Sequence, residues 1–300
     1  MNKLRKLGAT IVKERVSYAF VAPFYVLFLV FTILPVVISV FLSFTYFNVL
    51  EPPRFTGWDN YVNLLLHDDI FITALKNTFV YAIVIGPVSY IASLLIAWMI
   101  SGLQPVFRAV LVLCFYAPSI SGNVYLIWKT LFSGDSYGYI NSVLMTLGVI
   151  DTPIKWLQTE QYILPIIMLV GLWISFGTAF LSFVAGFQGQ DRSLLEAGAV
   201  DGIKNSWQGL WYITLPTMRP QMVFGAVIAI TNAFAVSDVA INMAGNPSVN
   251  YAGHTIVTHL MDYGSTRFEM GYASSIATLL FVIMVVMNSL AKKFIAGVGK

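Results

Sequence analysis

Residues 77–107 read NTFVYAIVIGPVSYIASLLIAWMISGLQPVF, a stretch without one Asp, Glu, Lys or Arg. A helix crosses the hydrocarbon core of a bilayer with about 20 mostly apolar residues. This run is long enough to cross and then turn at Ser101-Gly102-Leu103-Gln104-Pro105. Five more charge-free stretches are comparably apolar: 16–50, 109–128, 161–190, 220–237 and 270–291. The shortest, 220–237, extends past Asp238 at its far end. Residues 136–150 and 205–218 are too short to cross, and 239–261 carries Asn242, Asn246, Pro247, Ser248, Asn250 and His254, too polar for lipid. The count is six. The expected fold is all-α, a polytopic membrane bundle with spans near 17–45, 74–102, 107–130, 161–187, 219–241 and 269–291, forming one transmembrane unit over 1–300.

Composition agrees. Of 300 residues, 58% are apolar and 10% charged, where soluble chains carry roughly 45–50% and about 25%. The single Cys114 excludes an intramolecular disulfide framework and a multi-cysteine zinc site, and His67, His254 and His259 leave little for a metal centre. No cofactor, metal or nucleic acid is expected, a net charge of +3 being too small for the last. Basic residues ahead of the first apolar run invite reading a signal peptide. That run of about 30 residues far exceeds the 7–15 of a signal core and no small-residue cleavage site follows, so it reads as a retained first helix.

Orientation follows from the basic residues. Six spans put both termini on one side. If that side is the cytoplasm, it holds Lys3, Arg5, Lys6, Lys13, Arg15, Arg108, Arg192, Lys204, Arg219, Lys292, Lys293 and Lys300, twelve of the 17 Lys and Arg. Only Glu14, Asp191, Glu196 and Asp201 accompany them, which leaves the inside at +8 and the outside at −5. The expectation is N-in, C-in.

The segment 188–218, between the fourth and fifth spans, is the most informative. Asp191 suits the N-cap of a short helix through Val200, and Gly202 the left-handed position after it. Ser206 can cap a second helix, and Pro216 biases Leu215 away from helical geometry. Leu194, Leu195, Trp207, Leu210 and Trp211 are large and apolar for a segment in water. The residues alone fit an interfacial helix pair or a docking knob for a soluble partner equally well.

This segment resembles the EAA loop of permease subunits in binding-protein-dependent ATP-binding-cassette importers. Glu196, Ala197, Gly202, Ile213, Leu215 and Pro216 match that pattern. Gly198 stands where the family has a second Ala, and ten residues rather than nine separate Gly202 from Ile213, the extra one falling in the turn between the two short helices. Further pieces, in order, are similar to the maltose-type sugar permeases: Ala22-Pro23, Pro35, Leu42-Ser43-Phe44-Thr45, Phe55-Thr56-Gly57-Trp58-Asp59-Asn60-Tyr61, Asn77-Thr78, Phe107-Arg108, Pro118, Trp128, Leu131-Phe132, Phe234, Asp238 and Ala244-Gly245-Asn246-Pro247.

The resemblance implies a type I ABC importer fold and three kinds of partner. These are a second permease subunit, different from this one in the maltose-type branch, a cytoplasmic ATPase dimer, and an extracellular solute-binding protein that delivers the sugar. It implies that Glu196, Ala197, Gly198, Gly202, Ile213, Leu215 and Pro216 couple the loop to the ATPase. Carried by distance from Glu196 and Arg219-Pro220, it also implies substrate contacts at Trp173, Ser175, Phe176, Thr178, Thr231, Asn232 and Ala235. The family's amide-rich stretch is reduced here to Asn232, and Trp173 and Phe176 also suit plain helix packing.

The residues agree that energy comes from elsewhere. No span carries an Asp, Glu, Lys or Arg at its centre, where a proton-driven carrier would need one. The terminal Gly299-Lys300 lacks the rest of a phosphate-binding loop. His254 and His259, five apart, make a poor catalytic pair, and the adjacent Asp68 and Asp69 point apart, so no catalytic residue is assigned and the chain is not expected to be an enzyme. A sodium-coupled carrier is the alternative, since hydroxyls and backbone carbonyls can hold sodium.

Overall fold

A computed structural model describes residues 14–295; the terminal basic residues Lys3, Arg5, Lys6, Lys13 and Lys300, and Gly299, lie outside them. Five helical segments are long and apolar enough to cross a membrane: α1 (Arg15–Leu42), α3 (Asp69–Ser101), the pair α7–α8 (Glu160–Gln188), the pair α11–α12 (Arg219–Ala244) and α14 (Met270–Ile295). A short α2 (Asp59–Leu66) precedes α3. The third expected span, 107–130, is broken: α4 (Pro105–Ile120) and α5 (Val124–Leu131) meet at 84°. Ser121 is extended where Ser121-Gly122-Asn123 interrupts the apolar run. That tripeptide, three residues after Pro118, marks the bend.

Short helices fill the rest: α6 (Tyr139–Thr146), α9 (Arg192–Val200), α10 (Ser206–Gly209) and α13 (Ile256–Met261). The centre of the bundle is α3, packed against α8 (Thr178–Gln188) and α11 (Arg219–Phe234), with α14 packed on α11. In α1 no residue is buried, and its Leu34–Leu42 segment packs on α14. Apolar residues on every face are expected of a helix whose solvent is lipid.

Two apolar clusters hold the bundle. One gathers Phe71, Ile163, Ile167, Phe234, Ile256 and Ile276; the other, nearer the 188–218 segment, gathers Phe176, Phe180, Phe183, Leu210, Met218 and Met222. Close approach of α8 and α11 depends on Gly225, whose missing side chain leaves room for the Phe183 ring.

At the opposite end, a two-stranded hairpin pairs β1 (Thr45–Tyr46) with β2 (Arg54–Phe55). The Asn60 amide donates to the Ser43 and Thr45 carbonyls, both at 2.9 Å, and ties α2 under this hairpin. Asn77 in α3 places its amide nitrogen 3.0–3.2 Å from the carbonyls of Tyr251, Ala252 and His254, and so holds the connection before α13. A third amide, Asn141, is fully buried and reaches the carbonyls of Ser133, Asp135 and Ile154 while its oxygen accepts from Trp156 Nε1. These short segments have few hydrogen bonds of their own, and each amide supplies several.

Prolines sit where the helices can absorb them. Pro23, Pro87, Pro118 and Pro165 lie inside helices that continue past them. Pro35 and Pro216 each follow a π-helical turn by two residues, Leu29–Ile33 and Leu210–Thr214. There Leu34 N–H bonds Leu29 O and Leu215 N–H bonds Leu210 O. The widened turn relieves the clash of the proline ring with the carbonyl four residues back.

Gly225→Ala is expected to destabilise the purified protein by about 1–3 kcal/mol, since its methyl group would overlap Phe183 in a packed contact. Thermal unfolding in detergent, with Gly148→Ala as a substitution in open space at a left-handed glycine, separates overpacking from backbone cost.

Candidate functional site

Three of the spans are interrupted, and two interruptions face each other. The fourth breaks at Ser175–Gly177, between α7 (Glu160–Ile174) and α8 (Thr178–Gln188); the fifth breaks at Ala235–Ser237, between α11 (Arg219–Phe234) and α12 (Asp238–Ala244). No proline causes either. The carbonyl freed at Val236 accepts the Thr255 hydroxyl at 2.7 Å, the internal partner that lipid would not provide.

Across from the breaks α3 presents Tyr81, Ile85, Ser89 and Ser93, four residues apart and therefore on one helix face. A cavity of about 250 Å³ lies between them. Gly171, Ser175 and Thr178 line it from the fourth span, Asn232, Ala235, Ser237 and Asp238 from the fifth, and Tyr125 from α5. Its wall offers hydroxyls, phenols, one amide and one carboxylate, and no Lys, Arg or His. Asp238 opens α12, where the first-turn N–H groups favour negative charge, with Ser237 Oγ 3.4 Å away. Such a wall offers hydrogen-bond partners and ring faces.

Four of the seven expected contacts line this cavity: Ser175, Thr178, Asn232 and Ala235. Trp173, Phe176 and Thr231 do not. Phe176 is buried against Phe115 and Phe180, and Trp173 stands edge-on to Trp128 with centroids 5.4 Å apart. Thr231 is turned about 100° from its neighbour Asn232 on the same helix. Along the fourth span Gly171, Ile174, Ser175 and Thr178 share the cavity face and Trp173 and Phe176 do not. Tyr81, Ser89, Ser93 and Tyr125 were not anticipated. For the first three the signal was the hydroxyls at four- and eight-residue spacing inside one charge-free span; Tyr125 had none.

The second candidate region is 188–218. Asp191 accepts from the Ser193 N–H at 2.9 Å as the N-cap of α9, and this hydrogen bond, with a second to the Ser193 side chain, holds its carboxyl below the usual carboxylate range. Gly202 has φ +98, the left-handed stop, and Ile203 N–H bonds back to Gly198 O at 2.9 Å. Two expectations need correction. The cap of α10 is Asn205, which accepts from Gln208 N–H at 2.8 Å, and Ser206 is the first helical residue. Leu215 is helical, at φ −61 and ψ −42, because the π turn ahead of it absorbs Pro216.

Gly198 is the buried point of this elbow. A Cβ there would overlap Ile213 Cδ1, so the glycine lets the second helix close on the first. Glu196 and Ala197 are exposed on α9, whereas Leu215 is buried and Ile213 and Pro216 half-buried. Thus Gly198, Ile213 and Leu215 build the elbow, and Glu196 and Ala197 face outward from it.

The chain matches the family described as "Binding-protein-dependent transport system inner membrane component" over residues 77–300. It is 33% identical over 287 residues to "Probable ABC transporter permease protein YesP" of Bacillus subtilis (strain 168), covering 93% of this chain and 90% of that one. It is 29% identical over 287 residues to "Arabinooligosaccharides transport system permease protein AraP" of the same organism, covering 94% and 88%. Among solved structures, a chain of a bacterial ABC transporter involved in the import of the acidic polysaccharide alginate superposes with a TM-score of 0.78 at 22% identity, covering 98% of this chain and 100% of that one. That likeness is one of fold. The broken spans, the helical elbow and the family match lead to one conclusion: this chain belongs to the binding-protein-dependent transport system inner membrane components, the multi-pass permease subunits of ABC importers.

Proposed function

We propose that this chain is one of two permease subunits of an ATP-driven importer, and that its cavity passes a sugar, specifically an oligosaccharide, received from an outer solute-binding protein. The observation that carries this is the cavity wall, in which hydroxyls, phenols and the Asn232 amide surround a space without a cation. Sugar rings present alternating hydroxyl and apolar surfaces, and such a wall offers partners to both. The relatives AraP and LacF, named for arabinooligosaccharides and lactose, support the same substrate class.

In this reading residues 1–300 act as one membrane unit, both termini and the 188–218 elbow lie in the cytoplasm, and the hairpin end faces outward. The excess of Lys and Arg on the elbow's side supports that orientation. The elbow meets the nucleotide-binding partner through Glu196, Ala197 and the exposed Val200, Trp207 and Trp211. Its route into the bundle is short. Trp207 packs on Trp98 of the second span with ring centroids 4.8 Å apart, and Leu210, Leu215 and Met218 join the cluster that contains Phe183 and Met222. A push on α9 therefore reaches the second, fourth and fifth spans, the three whose residues dominate the cavity wall.

Two outcomes test this. Asn232→Ala should lower uptake by the assembled importer at least tenfold, while Trp173→Phe, outside the cavity, leaves it within twofold; equal effects of both would remove the cavity from the pathway. Gly198→Val should abolish ATPase retention in co-purification without blocking membrane insertion, and Ile213→Ala should restore part of it by making room. Undiminished retention in Gly198→Val would refute the elbow as the docking element.

A further inference from the structure

His254 and His259, unpromising as a sequence pair, are neighbours in space. Both are buried, with Nε2 of His254 3.2 Å from Nδ1 of His259. The chain continues in both directions. His259 Nε2 lies 3.0 Å from Asp68 Oδ2, which also accepts the Tyr272 hydroxyl at 2.9 Å, and Asp68 Oδ1 caps α3 through the Phe71 N–H. At the other end His254 Nδ1 lies 3.2 Å from Thr258 Oγ1. Asp68 precedes the second span, Tyr272 lies in the first turn of the sixth, and His254 stands before α13 with His259 inside it.

The neutral chain is fully satisfied in one direction. Thr258 O–H donates to His254, His254 N–H to His259, and His259 N–H to the Asp68 carboxylate. One added proton reorders it and leaves a charged imidazolium buried, with Asp68 reached only through His259. A protonated His254 donates from Nδ1 to Thr258 Oγ1, and that hydroxyl turns to the Thr255 carbonyl, 2.9 Å away. The Thr258 hydroxyl is a rotor between two proton counts.

We propose that this hydrogen-bond chain is a proton-sensitive latch, in which uptake of one proton by the histidine pair loosens α13 from the second and sixth spans and, through Thr255, from the broken fifth span. Thr255 is the link because its side chain caps α13 and also donates to Val236 O on the cavity wall.

The surroundings determine the sign. Burial, followed by the neighbouring His259, pushes His254 down to about 4, against the opposing pull of Asp262 and Asp68; burial also pushes His259 down, against Asp68. The Tyr251 ring faces His254, and the Phe71 and Tyr263 rings face His259. Arg267 is paired with Asp262, and Glu269, His67 and Asp69 line the adjoining hollow with Asp68. A released His254 titrates near its ordinary value of about 6.5. Between about 6.5 and about 4 the open form therefore binds more protons, so the latch is at full strength above that window and weakens as pH falls through it.

The latch rests on this geometry, and only its effect on uptake rests on the cavity reading. Hydrogen exchange of amides 255–261 in the intact importer, held in lipid nanodiscs and corrected for the intrinsic pH dependence of exchange, reads the latch directly. Protection should fall roughly thirtyfold between pH 7.5 and pH 5 in the unmodified protein. In His254→Gln, which can still accept and donate along the chain, it should change less than threefold, as should amides 222–229 of α11 in both proteins. Wild-type protection constant within threefold over that range, a test that needs no variant, would overturn the proposal. So would an equal acid loss in His254→Gln.

Discussion

Lipid offers nothing to a backbone carbonyl that loses its helical partner, and the architecture of this chain is organised around that fact. At several departures from regular α-helix a specific internal solution is visible. The π turns ahead of Pro35 and Pro216 redirect carbonyls to N–H groups five residues on. The break at Ala235–Ser237 is served by the Thr255 hydroxyl from a different segment. Asn77 gathers three carbonyls of an irregular connection. A polar cavity inside an apolar bundle is then a natural consequence, because unwound backbone and hydroxyl side chains stabilise one another in the same place.

The apolar clusters on either side give these local solutions a rigid frame. One packs the second, fourth, fifth and sixth spans toward the hairpin end; the other joins the fourth and fifth spans to the elbow. Tyr81, Ile85, Ala233, Val236 and Val239 belong to the first cluster and also line the cavity. Core packing and cavity shape are therefore set by some of the same side chains, and a change transmitted through either cluster alters the wall directly.

Much of this was legible in the chain. Five of the six charge-free stretches coincide with long apolar helices to within a few residues, as expected where a segment in hydrocarbon cannot carry unpaired charge. Asp191 and Gly202 marked the bounds of α9 because capping is local chemistry. Other features depended on phase. Trp173 and Phe176 were assigned as substrate contacts on distance along the chain, yet neither lines the cavity, because Trp173 packs on Trp128 and Phe176 on Phe115 and Phe180. The bend at Ser121–Asn123 was hidden because its flanks are as apolar as any straight span. His254 and His259 looked unrelated at a separation of five, but the first lies before α13 and the second within it, so the change of backbone direction brings their rings together.

The linear order of residues by itself determined the solvent, the number of crossings up to the broken one, and the elbow with its glycine stop. Each of these follows from composition or from contacts within a few positions. Only the tertiary structure decided which hydroxyls share a cavity, why Gly198 must be small, and that Asp68 meets His259 across 191 positions. The reason is geometric. Hydrophobicity is summed along a segment, whereas a polar site is defined by where several segments point, and helix breaks set those directions one against another.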